Sequence, residues 1–137
     1  MLTVRQIMTE KIVTVEMDDS LLVVKEIFDN LKLHHLLVTE NEILFGVLSD
    51  RDLLRSLSPN LGKLSETAKD KETLHKRVHQ VMTRKPITLT PDAPIREAVN
   101  LLITRNVSCI PVVDEEFKPV GIITWRDVMK GLCAESC

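Results

Sequence analysis

At 137 residues, 44% hydrophobic and 28% charged, the chain has the profile of a folded globular protein rather than a disordered one. Lys and Arg total 18 against 20 Asp and Glu, a formal net charge of −2, which excludes a general attraction for nucleic acid or an anionic membrane surface. Aromatics are only 3%, so the core must come from Ile, Leu, Val and Met, and no stacking platform for bases is available.

Residues 3 to 9 read as a short amphipathic lead-in, and Ile12-Val13-Thr14-Val15 as a short strand. Asp18-Asp19-Ser20 supplies caps for a helix carrying Leu21, Val24, Ile27, Phe28 and Leu31 at helical spacing. Leu36-Leu37-Val38 is a short apolar strand, Glu40-Asn41-Glu42 a polar turn, and Ile43 to Leu48 the hairpin partner. A second helix is predicted from Ser49, with Leu53 and Leu54 facing inward.

The segment 56–77 mixes Ser, Gly, Lys and Glu with few apolar positions and reads as a connector, with helix predicted between Glu66 and Val81. The plan then recurs. Ile87-Thr88-Leu89 is a predicted strand, and a helix opened by Asp92 or Pro94 carries Ile95, Ala98, Val99 and Leu102. Cys109 to Val113 and Val120 to Ile123 flank the turn Asp114-Glu115-Glu116, and Thr124 starts a last helix through Leu132. Pro86 suits a strand start, whereas Pro111 lies inside an apolar strand, so one side of that strand cannot be fully hydrogen-bonded.

Internal repetition organises the whole chain. Gly46-Val47-Leu48-Ser49-Asp50-Arg51-Asp52-Leu53 recurs 75 positions later as Gly121-Ile122-Ile123-Thr124-Trp125-Arg126-Asp127-Val128, and Val4-Arg5-Gln6-Ile7-Met8-Thr9 recurs 74 positions later as Val78-His79-Gln80-Val81-Met82-Thr83. In each long motif a hydroxyl residue precedes an acid by three, the pattern of a helix N-cap with an acid at N3. The expected organisation is a first repeat over 1–55, a linker over 56–77, a second repeat over 78–132 and a tail over 133–137. Two units of about 60 residues are marginal alone, so they are expected to pack together.

The three cysteines, Cys109, Cys133 and Cys137, are an odd number, which argues against a disulfide framework. Cys109 reads as a small buried hydrophobe. No apolar run approaches the roughly 20 residues needed to span a bilayer. Repeat sequence starting almost at the first residue leaves no room for a signal peptide, so a cytoplasmic protein is expected. The acids, cysteines and four histidines form no nucleophile and base arrangement and no metal-ligand spacing, so neither an enzyme nor a metal site is expected.

The duplicated pattern of Met-Thr, short strand, amphipathic helix, an apolar segment ending in Pro-Val and Gly-x-x-Ser/Thr-x-x-Asp resembles the cystathionine-beta-synthase (CBS) domain. That domain usually occurs as a tandem pair, the Bateman module. The resemblance covers both repeats, and the chain also looks similar to small bacterial two-repeat proteins of the acetoin-utilisation type. It implies an α+β, sandwich-like fold of two β-α-β-β-α repeats packed with pseudo-twofold symmetry, leaving two clefts that take adenosine-containing ligands such as AMP, ADP, ATP or S-adenosylmethionine.

The resemblance also assigns roles. Asp127 with Thr124, and Asp52 with Ser49, would bond the ribose, while Ile87, Ile110 and Pro111 in one cleft, and Val13, Leu36 and Leu37 in the other, would form the wall against the purine. Candidate phosphate partners are Arg51, Arg126, Lys85, Arg84, His34 and His35. Read from the residues alone, both acids serve equally well as caps of their own helices. Leu37 stands where the family favours proline, so ordinary strand pairing is expected to close the first cleft, and the second is the preferred site.

The expected function is a sensor that binds an adenine nucleotide as a regulatory ligand, with no prosthetic group, and alters its contacts with a protein partner or its own oligomeric state. The alternative is a ligand-free assembly or scaffold protein. The resemblance implies a homodimer in either case.

Overall fold

A computed structural model describes residues 2–136, so Cys137 lies outside the described residues. The elements in chain order are α1 (Val4–Ile7), β1 (Thr14–Val15), α2 (Leu21–Asn30), β2 (His35–Glu40), β3 (Ile43–Ser49), α3 (Asp50–Ser56) and α4 (Ala68–Glu72). A single 3-10 turn (Thr73–His75) leads to α5 (Val78–Val81), β4 (Thr83–Arg84), α6 (Ile95–Thr104), β5 (Ile110–Val113), β6 (Pro119–Ile123) and α7 (Trp125–Ser136). The fold is α+β, and each repeat runs β-α-β-β-α, although the first strand of the second repeat is reduced to one bridge residue.

The chain forms two compact units that do not coincide with the contiguous repeats. One, the second-repeat unit, combines the residues up to Ile12 with Asn41–Leu44 and everything from Lys85 onward. The other, the first-repeat unit, comprises Val13–Glu40 and Phe45–Arg84. Each repeat therefore gives its lead-in helix to the other's core.

The backbone bonds that seat the two lead-ins correspond. Val4 and Arg5 N–H donate to the carbonyls of Ala93 and Pro91, at 2.8 Å each, just before α6. Val78 and His79 N–H donate to Asp19 and Met17, at 2.9 and 3.0 Å, just before α2. Gln6 and Gln80 fold back onto the N–H of Thr3 and Arg77, so each one-turn helix is capped by its own sequence. The valine that follows each cap is fully buried, and a buried valine of this kind contributes about 1.5–3 kcal/mol.

The core of the second-repeat unit joins Val4 to Leu89, Ala93, Ala98, Leu102, Ile110, Val112, Ile123 and Val128. That of the first-repeat unit joins Val78 and Met82 to Val15, Leu21, Val24, Leu36, Val38, Leu48 and Leu53. The helices follow from their spacing and caps. Ser20 Oγ accepts from Val23 N–H at the start of α2, and Pro94 precedes α6, where its lost N–H is not needed.

The strands form a four-stranded sheet in the order β1-β2-β3-β4 and a separate β5-β6 pair. Asn41 and Glu42 both have positive φ, the conformation of a two-residue hairpin whose twist matches its strands. Three expectations need correction. Leu54 is 72% exposed, because α3 is only two turns long and a residue adjacent to buried Leu53 points about 100° away from it. Leu31 is exposed as the C-cap of α2. Of the predicted strand at 87–89, only Leu89 pairs, in parallel with Val112.

Candidate functional site

The hydroxyl and acid of each long motif do form a cap. At α3, Ser49 N–H and Oγ both donate to Asp52 Oδ2 at 2.9 Å, and Asp52 N–H returns a bond to Ser49 Oγ at 3.1 Å. At α7, Thr124 N–H and Oγ1 donate to Asp127 Oδ2 at 2.9 and 3.1 Å. Asp127 differs in a third bond, because Thr9 Oγ1 donates to its Oδ1 at 2.7 Å from 118 residues away in sequence. Asp127 is 9% exposed, so this carboxylate is largely buried, and its donors all come from the same unit.

The motif glycines explain how Thr9 arrives there. A Cβ built on Gly121 would lie 2.7 Å from Met8 Sδ and 2.9 Å from the Thr9 carbonyl, and one on Gly46 would meet Met82 Sδ and the Thr83 carbonyl at the same distances. The glycine lets the lead-in chain cross directly over the strand, and Thr9 pairs with Ile122 through bonds of 2.9 and 3.0 Å. Thr9 had only a repeat-marking role in the sequence; its sole signal was the recurring Met-Thr.

The wall positions separate the repeats more sharply. In the first-repeat unit, Leu37 N–H donates to the Val13 carbonyl at 3.1 Å, and β1 pairs with β2 at Thr14–Leu37 and Val15–Val38. In the second-repeat unit, Leu89 N–H bonds the Pro111 carbonyl and Val113 N–H bonds the Leu89 carbonyl, at 3.0 and 2.9 Å. The next bond in that ladder needs an N–H at residue 111, directed to the carbonyl of Ile87, and proline has none. Pairing between Ile87 and Pro111 therefore stops where Val13 and Leu37 continue.

Ile110 and Leu36 are fully buried in their cores, and Leu37 and Pro111 are also buried, while Ile87, Val13, Thr124, Ser49 and Asp52 are partly exposed. The preferred set, Ile87, Ile110, Pro111, Thr124 and Asp127, falls within one unit. Of the phosphate candidates, Lys85 and Arg126 belong to that unit and are exposed, whereas Arg51, Arg84, His34 and His35 belong to the other. His34 Nδ1 lies 2.8 Å from Asp50 Oδ2, and Arg84 donates to the His79 carbonyl. A recess of about 550 Å³ in the second-repeat unit is lined by Arg5, Thr90, Pro91, Asp92 and Val113–Glu116, and contains none of the predicted contact residues.

His35 and Cys109 occupy equivalent positions, and burial favours the neutral form of each. Burial lowers the His35 pKa, opposed by the charges of Asp50 and Asp52 and aided by His34. Burial, reinforced by the charge of Asp127, pushes the Cys109 thiol up to about 12. Among the described residues no group of His, Cys, Asp or Glu is set to hold a metal ion, and no helix is long and apolar enough to cross a membrane.

The CBS domain family matches residues 4–59 and 78–134, which is most of the chain in two copies. The chain belongs to the CBS domain family. It is a tandem CBS module, a regulatory unit rather than a catalytic one. A CBS domain-containing protein of Dictyostelium discoideum is 33% identical over 128 residues, covering 92% of this chain and 88% of that one. The structure of CBSX2 in complex with AMP superposes with a TM-score of 0.83 at 26% identity over 100% of both chains; CBSX2 comes from Arabidopsis thaliana.

The AcuB structure from Vibrio cholerae, named for acetoin utilization, matches with a TM-score of 0.78 over 98% of this chain and 92% of that one. At 24% identity it speaks for the fold alone. Similarity thus spreads across the tandem CBS family, and the narrower likeness to the bacterial acetoin-utilisation type is not singled out. Further curated relatives are longer, and the chain spans 58% of one and 23% of another.

Proposed function

We propose that this tandem CBS module is a sensor of an adenosine-containing ligand, such as AMP, ADP, ATP or S-adenosylmethionine, held on the second repeat. In this reading Thr124 and Asp127 receive the ribose, and Ile87, Ile110 and Pro111 shape the adenine side. Arg126 and Lys85, the two candidate cations of the same unit, face the phosphate. The observation that carries it is the missing N–H of Pro111, which leaves the Ile87 carbonyl without the ladder bond that Val13 receives from Leu37. A backbone edge left open in this way offers polar groups to a planar heterocycle. The AMP held by CBSX2 supports the choice of ligand class.

Bound ligand acts by favouring one contact with a protein partner, or one oligomeric state, over another, to the extent that its affinity differs between them. The reading sets the module in the cytoplasm, where reduced thiols such as that of Cys109 persist. Calorimetric titration with AMP, ADP, ATP and S-adenosylmethionine tests it. Saturable binding that Asp127→Ala abolishes is expected, and no heat and no melting shift with any of the four removes it.

A second reading, a ligand-free homodimeric scaffold, is favoured by a different observation. Trp125, Met129 and Leu132 lie along one side of α7 and are 41%, 62% and 44% exposed, an apolar stripe that a partner would cover. Sedimentation at micromolar concentration tests it. A dimer that binds none of the four ligands supports the scaffold, and a monomer removes it.

A further inference from the structure

We propose that Thr9 sets both the affinity and the sugar preference of the second-repeat site, by holding the acceptor position on Asp127 that a ribose 2′,3′-diol requires. The inference rests on the reading of Asp127 as the ribose acceptor and adds a residue outside the motif that carries that reading.

A carboxylate offers about four acceptor positions. Three on Asp127 are in use: Oδ2 takes the Thr124 N–H and hydroxyl, and Oδ1 takes the Thr9 hydroxyl. A cis-diol brings two donors, so one resident donor must leave before both can bond. The Thr124 N–H and hydroxyl both come from the residue that caps α7, whose backbone holds them on Oδ2. Thr9 is different, because it is exposed and its hydroxyl can rotate toward water while its backbone remains paired with Ile122.

The Thr9 bond, at 2.7 Å, goes to Oδ1, whereas both Thr124 bonds go to Oδ2. A diol therefore competes with Thr9 for Oδ1. A ligand with one ribose hydroxyl needs only the remaining position and leaves Thr9 in place. Because Thr9 ends the N-terminal lead-in seated on this unit, the same competition reports ligand to that segment.

The test compares the wild-type chain with Thr9→Val, which keeps the shape but removes the donor, and Thr9→Ser, which keeps the donor. Each is titrated with AMP and with 2′-deoxy-AMP by calorimetry. Thr9→Val is expected to bind AMP about tenfold more tightly, the scale of one charge-assisted hydrogen bond, with 2′-deoxy-AMP changing less than about threefold. Thr9→Ser is expected to match the wild type. In the wild-type chain the Thr9 methyl resonance is expected to shift on adding AMP and not on adding inorganic phosphate, which decides the matter even if Thr9→Val folds poorly.

Binding to the wild type that Thr9→Val leaves unchanged, weakens, or improves equally for both nucleotides overturns the role of Thr9 and leaves the nucleotide reading standing. No binding of AMP to any of the three chains overturns both.

Discussion

The stretches 13–15 with 36–38, and 87–89 with 110–112, are the same structure written twice, and they differ by one backbone hydrogen. Where residue 37 is leucine, its N–H closes onto the Val13 carbonyl and a two-residue parallel strand forms. Where residue 111 is proline, pairing shrinks to the single bridge of Leu89 with Val112. A ligand edge here does not require a special side chain. It requires an interruption in a ladder that would otherwise satisfy itself.

Exchanging the two residues breaks the comparison most directly. Leu37→Pro removes the bond to Val13 from a fully buried position and is expected to cost about 3 kcal/mol or more, read from urea unfolding. Pro111→Leu should change stability by no more than about 1 kcal/mol, but it supplies the missing donor. Its new amide should be protected from hydrogen exchange, and AMP binding should weaken by about tenfold as the edge closes. An unprotected amide at 111 would show that the geometry, not the missing hydrogen, keeps this edge open.

The motif glycines come next in size. Gly46→Ala and Gly121→Ala each place a methyl against a backbone carbonyl that cannot withdraw, and each should cost about 1–3 kcal/mol. Similar losses in the two variants would show that the two crossings are equally tight. A neutral Gly121→Ala would mean that the strand carrying Thr9 yields easily.

Removing the acids sharpens the contrast between the caps. Asp52→Ala should cost about 1 kcal/mol for its cap, whereas Asp127→Ala, which also loses the bond from the Thr9 hydroxyl, should cost about 2 kcal/mol. Equal values from denaturant melts would mean that the Thr9 bond contributes nothing to stability.

The smallest expected effect is on pH dependence, and it has opposite locations in the two units. His35, with a lowered pKa in the fold, keeps the folded state neutral while the unfolded chain takes up a proton. Stability should therefore fall as pH drops below the ordinary value of 6.5, until the folded pKa is passed. Cys109 is held protonated up to about 12, so stability should fall as pH rises from the ordinary value of 9.0 toward 12. Melting curves of His35→Asn and Cys109→Ala should flatten the acid and alkaline limbs respectively, and an unchanged limb would remove the assignment to that residue.

Much of this is legible in the amino-acid sequence. The spacing of Leu21, Val24 and Ile27 placed α2, that of Ala98 and Leu102 placed α6, and the internal proline announced an incomplete ladder. The closing of Leu37 onto Val13 was expected from the same reasoning. Leu54 was misplaced because periodicity over two turns does not fix which of two adjacent leucines is buried. The apolar run at 87–89 shows strand propensity, but pairing depends on a partner's donors, and only Leu89 of the three finds them. Thr9 was missed as a site residue because its bond to Asp127 spans 118 positions and leaves no periodic trace.

The amino-acid order by itself determined the repeat, the caps and the apolar faces, because each depends on residues within a few positions of one another. Tertiary structure alone decided that Val4 completes the second-repeat core and Val78 the first, and that Thr9 reaches Asp127 across Gly121. Two near-identical lead-ins fit either core equally well by pattern. Only the path of the folded chain assigns each to its site.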